Sequence, residues 1–302
     1  MRTFAFILLA AAAGNAEIKI AVNATTIESA AVFLAERDPD VKIVPVPNGR
    51  VAMAELLAGS VDAATGSETQ ALINSVAEPG IRIVLSLAEA RYRIIARRSS
   101  GIRRVEDLRG KKVAATVNTS SQYFLREMLR TAGLRESDVR SVNLEGQAMP
   151  AVLKRGDIDA VAIWEPHAQN SLEALGSDAV DLQNPSVYRE RFNLNTTAKV
   201  LRDTAKRKAL VEFLGAILRA SDRIRSQRRQ AITFLAPSIN TPEQTINRVW
   251  RQFRFPANLG DDLPRVLEEV EIYVAATQNR QPRTPEKLRA LIDTSLLNEA
   301  KR

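Results

Sequence analysis

The sequence predicts an α/β protein built from two similar halves and closed by a helical tail, and three observations carry that prediction. The stretch Ala54 to Ala63 and the stretch Ala151 to Ala160 share the pattern A-x-L-x-x-G-x-(V/I)-D-A, 97 positions apart. Upstream of each copy the match continues in the same order. Val22-Asn23-Ala24-Thr25-Thr26 recurs as Val117-Asn118-Thr119-Ser120-Ser121, and Val41 to Val46 recurs as Val139 to Leu144, at offsets of 95 and 98. Ordered matches at nearly one offset are the mark of an internal repeat. Beyond Asp203 the pattern turns to helix alone.

The elements follow in order. Glu17 to Val22 reads as a first strand ending at Asn23. Thr25 stands three residues ahead of Glu28, the spacing of a capping box, so a helix is expected from there to about Arg37, where Asp38-Pro39-Asp40 breaks it. Val41 to Val46 is a strand, Arg50 to Ala58 a helix and Asp62 to Thr65 a strand, followed by the turn Gly66-Ser67-Glu68. Ile81 to Leu87 and Tyr92 to Arg97 read as further strands.

Ser99-Ser100-Gly101 marks a change of unit. The strand Val113 to Val117, a helix from Thr119 to about Gly133 and the strand Val139 to Leu144 follow. A helix then ends at Gly156, a usual C-cap residue. The apolar run Ile158 to Ile163 suits a strand buried on both faces of a parallel sheet. Asp178 to Leu182 and Asn195 to Leu201 read as extended. In the tail, Leu210, Phe213, Leu214, Ile217 and Leu218 show the three-to-four spacing of a packed helix face within Ala209 to Ala220. Ala231 to Leu235, Pro242 to Phe253, Leu263 to Ala276 and Pro285 to Leu297 continue the helical pattern.

Composition narrows the chemistry. The 302 residues are 45% hydrophobic and 26% charged, ordinary for a globular protein with a sizeable core. There is no cysteine, which excludes disulfides, thiolate metal sites and a cysteine nucleophile. A single histidine, His167, makes a multi-histidine metal site impossible and leaves a serine triad one base. The net charge of +8 comes from arginines scattered among Asp and Glu without interleaved aromatics, a solvated basic surface with no nucleic-acid partner implied. Arg2, the apolar run Phe4 to Ala13 and the small residues Gly14-Asn15-Ala16 form an export signal, cleaved near Ala16, too short to span a bilayer.

Candidate ligand contacts lie where strands turn into helices. Asn23, Thr25 and Thr26 in one half, Thr119, Ser120 and Ser121 in the other, and Gly66-Ser67 at a third turn place hydroxyls beside free backbone N–H groups at helix starts, an anion cradle. The same residues would serve as N-caps alone. Trp164 and Glu165, just past a strand's carboxyl end, face the crevice where open α/β sheets bind ligands. Arg91 could pair with an anion bidentately or lie at the surface. His167 reads as a surface or pocket-rim residue with no sequence neighbour to make it a catalytic base.

The run D-L-R-G-K-K-V-A (107–114), T-S-S (119–121), A-G-L (132–134), D-V-x-x-V-N-L (138–144) and G-D-I-D-A-V-A-I-W-E-P (156–166) resembles the substrate-binding proteins of nitrate, sulfonate and taurine ABC importers. The resemblance implies a two-lobed type II periplasmic-binding-protein fold with ligand in the cleft. Its two crossovers would fall near Ile95 to Arg98 and Asn195 to Leu201. Lobe 1 would then comprise residues 17–97 and 198–302, with the helical tail packed on it, and lobe 2 residues 98–197. A compact Thr25 to Asp40, with Glu28 beside the expected anion site, departs from the family pattern. The function implied is that of an exported, monomeric receptor without a cofactor. It would capture an anionic or zwitterionic solute and deliver it to a membrane permease and its ATPase. Enzymes of pyrimidine-precursor and menaquinone pathways share the fold, and the export signal and the absence of cysteine argue against them; a periplasmic ligand sensor is the third reading, which the sequence does not separate from a transporter.

Overall fold

The computed structural model describes residues 16–35 and 40–302. The expected export segment up to Asn15, and the expected helix end at Arg37, lie outside the described residues. Among the described residues eleven strands form two sheets. They are β1 (Ile18–Asn23), β2 (Val41–Val46), β3 (Ala63–Ser67), β4 (Ile81–Ala90), β5 (Arg93–Arg97), β6 (Lys112–Ala115), β7 (Arg140–Asn143), β8 (Ala160–Ile163), β9 (Ala179–Leu182), β10 (Glu190–Thr197) and β11 (Phe253–Arg254). The first sheet has the order β11-β4-β10-β3-β1-β2 and the second β7-β6-β8-β5-β9.

The repeat is visible in this topology. In each sheet three parallel strands run in equivalent order, β3-β1-β2 in one and β8-β6-β7 in the other. In each, the strand that flanks this trio is antiparallel to it: β10 beside β3, and β5 beside β8. Both flanking strands enter directly from the other half of the molecule, so each lobe is closed by a strand the opposite lobe delivers. β8 is buried throughout, as expected, but lies in a mixed environment, parallel to β6 and antiparallel to β5.

The crossovers lie earlier in the chain than expected. Arg93 to Arg97 already pairs with β8 and β9 in the second sheet, so the first crossing is made at Arg91-Tyr92. Glu190 already pairs with Ala90 in the first sheet, so the second is made over residues 183–189. Residues 93–97 therefore sit with the second sheet and 190–197 with the first. The physical reason is that a buried run does not state which sheet it joins: Ile94-Ile95-Ala96 and Phe192-Asn193-Leu194 are both fully or nearly fully buried, one in each sheet.

The tail packs chiefly on the first lobe. Thr204–Ser226 is a single long helix, capped by Asp203, whose carboxylate accepts from the N–H groups of Ala205 and Lys206 at 3.1 Å. The expected helix Pro285 to Leu297 is two, Pro285–Arg289 and Ser295–Ala300. Between them the chain straightens and docks on β4, with Ile83 N–H donating to Leu291 O at 2.7 Å and Asp293 N–H to Ile83 O at 3.0 Å. Asp293 then accepts from Ser295 N–H at 2.8 Å and restarts the helix. No helix among the described residues is long and apolar enough to cross a membrane.

Candidate functional site

Between the sheets lies a cleft enclosing about 340 Å³, its open mouth included, lined by Asn23, Thr26, Glu28, Asn48, Gly49, Arg50, Ser67, Gln70, Tyr92, Thr119, Ser120, Trp164, Glu190 and Phe192. These residues come from both lobes, with Tyr92 from the first crossover and Glu190 at the end of the second. The cleft is drawn shut by bonds across it. Gln70 Nε2 donates to Asn118 O at 2.6 Å, Thr26 Oγ1 to Glu165 O at 3.4 Å, and Asn48 Nδ2 to Glu145 Oε2 at 3.0 Å, while Arg50 pairs with Glu145 at 2.7 Å on the rim.

Six of the eleven expected contact residues line the cleft: Asn23, Thr26, Ser67, Thr119, Ser120 and Trp164. The other five sit beside it with other work. Thr25 Oγ1 donates to Asn23 Oδ1 and to Pro47 O, both at 3.0 Å. Gly66 lets the chain pass close to Gly49, where an added Cβ would stand 3.1 Å from Gly66 Cα. Ser121 Oγ joins neighbouring segments, accepting from Thr116 N–H at 3.0 Å and donating to Ala162 O at 2.7 Å. Arg91 lies at the first crossover, half-buried, its backbone N–H donating to Gln252 O at 3.1 Å.

Glu165 is fully buried, but its carboxylate faces away from the cleft. Oε1 accepts from Arg93 Nε at 2.6 Å and Oε2 from Gln169 N–H at 3.0 Å, while Arg93 also reaches Asp181 at 2.8 Å. Burial raises the Glu165 carboxyl above its ordinary range, and the Arg93 charge pulls it back. Successive side chains past a strand end point to opposite sides. Trp164 therefore reaches the cleft while Glu165 shares a face with Arg93, which pairs with Ile163 in the neighbouring strand.

The expected capping box at Thr25 is not formed. Thr26 is the residue at the N-cap, and its hydroxyl donates to the Glu28 carboxylate. Glu28 thereby turns into the cleft, 1% exposed. Opposite it stands Glu190, 3% exposed, at the start of β10. Glu190 Oε1 accepts from Tyr92 OH at 2.9 Å and Ser120 Oγ at 3.2 Å, its Oε2 takes no N–H or hydroxyl donor, and the Glu28 and Glu190 carboxyls hydrogen-bond to each other. Trp164 Nε1, buried in the same lining, likewise has no acceptor.

Burial, then the charge of Glu190, lifts Glu28 well above the usual carboxylate range. Burial and the nearby Glu68 charge push Glu190 up to about 8. Two carboxyls sharing a desolvated site cannot both ionise cheaply, so protons are retained between them at neutral pH. Glu68 is itself held, accepting from Arg191 N–H at 2.8 Å and from Tyr188 OH.

His167 is not poised as a base: burial pushes it down to about 4, and its Nε2 has no partner. It packs behind Trp164, ring centroids 6.2 Å apart. Among the described residues no group of three or more His, Asp or Glu side chains is placed to hold a metal ion.

The family described as NMT1/THI5 like matches residues 29–231, more than half of the chain. The chain belongs to that family. A relative named "Putative aliphatic sulfonates-binding protein" in Escherichia coli (strain K12) is 28% identical over 260 residues, 82% of this chain and 75% of that one. The taurine-binding periplasmic protein of the same strain is 38% identical over 80 residues, 26% of this chain and 25% of its own length. The crystal structure of the periplasmic aliphatic sulphonate binding protein SsuA from Escherichia coli shares the fold, with a TM-score of 0.76 at 21% identity, covering 92% of each chain.

For a member of this family, the residues that sequence reasoning passed over are Asn48, Gly49, Arg50, Gln70, Tyr92, Glu190 and Phe192. Glu28 drew attention only as a charge out of keeping with an anion site. Tyr92 and Glu190 had a signal that went unread. Each is a polar-tipped side chain at the junction between two apolar strands, where the chain must change lobes.

Proposed function

We propose that this protein is the solute receptor of an ABC importer, closing two lobes on a small molecule and presenting it to a membrane permease and its ATPase. The observation that carries the reading is the cleft itself. It is lined from both lobes and from the first crossover, and it holds Trp164 Nε1, which lacks a partner, and a Glu28–Glu190 carboxyl pair with Glu190 Oε2 taking no N–H or hydroxyl donor. Buried polar groups are normally satisfied, so atoms left open in a cleft are complementary to something that enters it. The names of the relatives support the reading, and with it a periplasmic location after cleavage near Ala16. Hinge closure of this kind is stabilised by contacts the solute makes with both lobes at once.

The absence of native cysteines makes the test direct. Cysteines introduced at Lys42 and Arg103, exposed positions on the two lobes, carry a donor and an acceptor dye. A solute that raises energy transfer, raises the melting temperature and is recovered unchanged supports the receptor. Saturating it 100-fold above Kd stabilises the protein by about 2.7 kcal/mol. A solute that is recovered chemically altered overturns the receptor reading in favour of an enzyme.

A further inference from the structure

The cleft lining carries two carboxyls that face each other and a single cation. That cation, Arg50, is spent at the mouth, half-exposed and paired with Glu145. Deeper in, Glu28 and Glu190 meet, and among the described residues neither a Lys or Arg of the lining nor a metal cluster stands beside them to neutralise them. The charged groups around the pair are accounted for on every side. Glu68 is occupied by Tyr188 and Arg191 N–H, and Glu165 lies behind the wall with Arg93 and Asp181. Tyr92 donates to Glu190 from the first crossover. Burying carboxylates without a counter-charge is costly, and the cost is relieved only by a proton or by a cation. Glu190 Oε2 takes no N–H or hydroxyl donor and shares only the Glu28 carboxyl, and Trp164, Tyr92 and Phe192 line the same cleft. Aromatic faces add to the attraction for a cation.

We infer that the solute carries a protonated nitrogen, an ammonium or amidinium, seated between Glu190 and Glu28 and beside Trp164. This rests on the receptor reading and names the charge class of what the receptor holds. A zwitterion satisfies it too, with its anionic end toward Arg50 at the mouth. A plain oxyanion could take the open Trp164 Nε1–H and the hydroxyls, but it would sit against two carboxyls and gain nothing from ionising them.

Binding of a cation here expels a proton from the carboxyl pair. Affinity for an amine that stays protonated therefore rises as pH rises toward about 8, where Glu190 titrates in the empty protein. An oxyanion would show the reverse, binding the protonated pair and weakening as pH rises.

The test is a thermal-shift screen of the whole protein with matched probes at millimolar concentration, followed by calorimetry in two buffers of different ionisation heat. The probes are ethylamine, benzylamine and benzamidine, then taurine, then ethanesulfonate and benzenesulfonate. The expected result is stabilisation by one or more nitrogen-bearing probes, with proton release and a loss of at least about tenfold in affinity in Glu190→Gln. Glu28→Gln, which leaves the Glu190 carboxyl and the causes of its raised value in place, is expected to bind the same probe, still with release of the Glu190 proton. Binding of a sulfonate that lacks nitrogen, with proton uptake and with Glu190→Gln unimpaired, overturns the inference and leaves the receptor standing. Silence from every probe overturns both. Glu190→Gln keeps an oxygen for Tyr92 and Ser120, and its melt without probe shows that it is folded.

Discussion

At the scale of single residues, the empty cleft stores an electrostatic cost that a titration will show. Glu190 is raised by burial and by the Glu68 charge, so the folded protein holds its proton more tightly than the unfolded chain does. A carboxyl raised in this way contributes stability that is complete below the ordinary carboxylate range and is lost as pH rises through about 8. The expected outcome is that the empty protein melts at progressively lower temperature from mildly acidic to mildly basic pH. Glu190→Gln should flatten that slope and be the more stable chain at the basic end; a slope unchanged in the variant would place the titrating group elsewhere. This also shows why Glu190 was hard to read as a site residue. Its role comes from what lies opposite it, Glu28, 162 positions away in the chain. Thr26, Ser120 and Trp164 were legible because local geometry puts them at turns and strand ends. The same reasoning selected Glu165, one residue too far: sequence position brings a residue to the crevice, but the alternation of side chains decides which side it faces.

At the scale of elements, the best-defined joint is where the tail meets the first lobe. Glu271, 1% exposed on the helix Leu263–Thr277, receives Arg280 Nη1 at 2.6 Å and Arg283 Nη2 at 2.8 Å. Arg283 goes on to Leu72 O at 2.9 Å and Ser75 Oγ at 2.8 Å, at the end of the helix Glu68–Asn74. Burial alone would raise Glu271, but the two guanidinium groups outweigh it and bring the carboxyl down to about 2. A depressed carboxylate contributes stability above its unfolded value, lost as pH falls through about 2. Breaking a buried pair by removing one partner costs about 3 kcal/mol. Glu271→Ala is therefore expected to lower stability by that order at neutral pH in urea unfolding, and by less as the acid limb is approached. An equal loss at all pH values would mean that packing, and not the ion pair, holds the joint. The helix Glu68–Asn74 also supplies Ser67 at its cap and Gln70 to the cleft, so this joint sets the rear wall of the site. The long tail helix was readable from its apolar spacing. The break at residues 290–294 was not, because Leu291 and Ile292 are as apolar as a continuing helix would require, and only the docking on Ile83 explains the stop.

At the scale of the whole molecule, function is a balance between open and closed lobes, and the rim pair is where it can be tuned without touching the solute. Glu145 lies outside the cleft lining but accepts from both Asn48 and Arg50 across the opening. Its side chain is 46% exposed and that of Arg50 48%, so the pair is screened by salt and is worth on the order of 0.5–1 kcal/mol. If the solute binds tightly only to closed lobes, apparent affinity scales with the fraction of protein that closes. Losing this latch should then weaken binding by about threefold. Glu145→Ala is expected to act through faster release at nearly unchanged association, because the latch forms after the solute has entered. In the doubly labelled protein the variant should show lower energy transfer before solute is added and the same value at saturation. The difference from the native chain should fade as ionic strength rises, since charges this exposed are screened beyond about 10 Å at 0.1 M salt. A salt-independent loss, or a lower plateau at saturation, would mean instead that Glu145 shapes the closed state itself. The repeat explains why one rim contact has this leverage. Each lobe is completed by a strand from the other, β5 and β10, so opening must be absorbed in the short crossings at Arg91-Tyr92 and residues 183–189. Those crossings carry Tyr92 and end at Glu190, which makes the hinge and the floor of the cleft the same few residues.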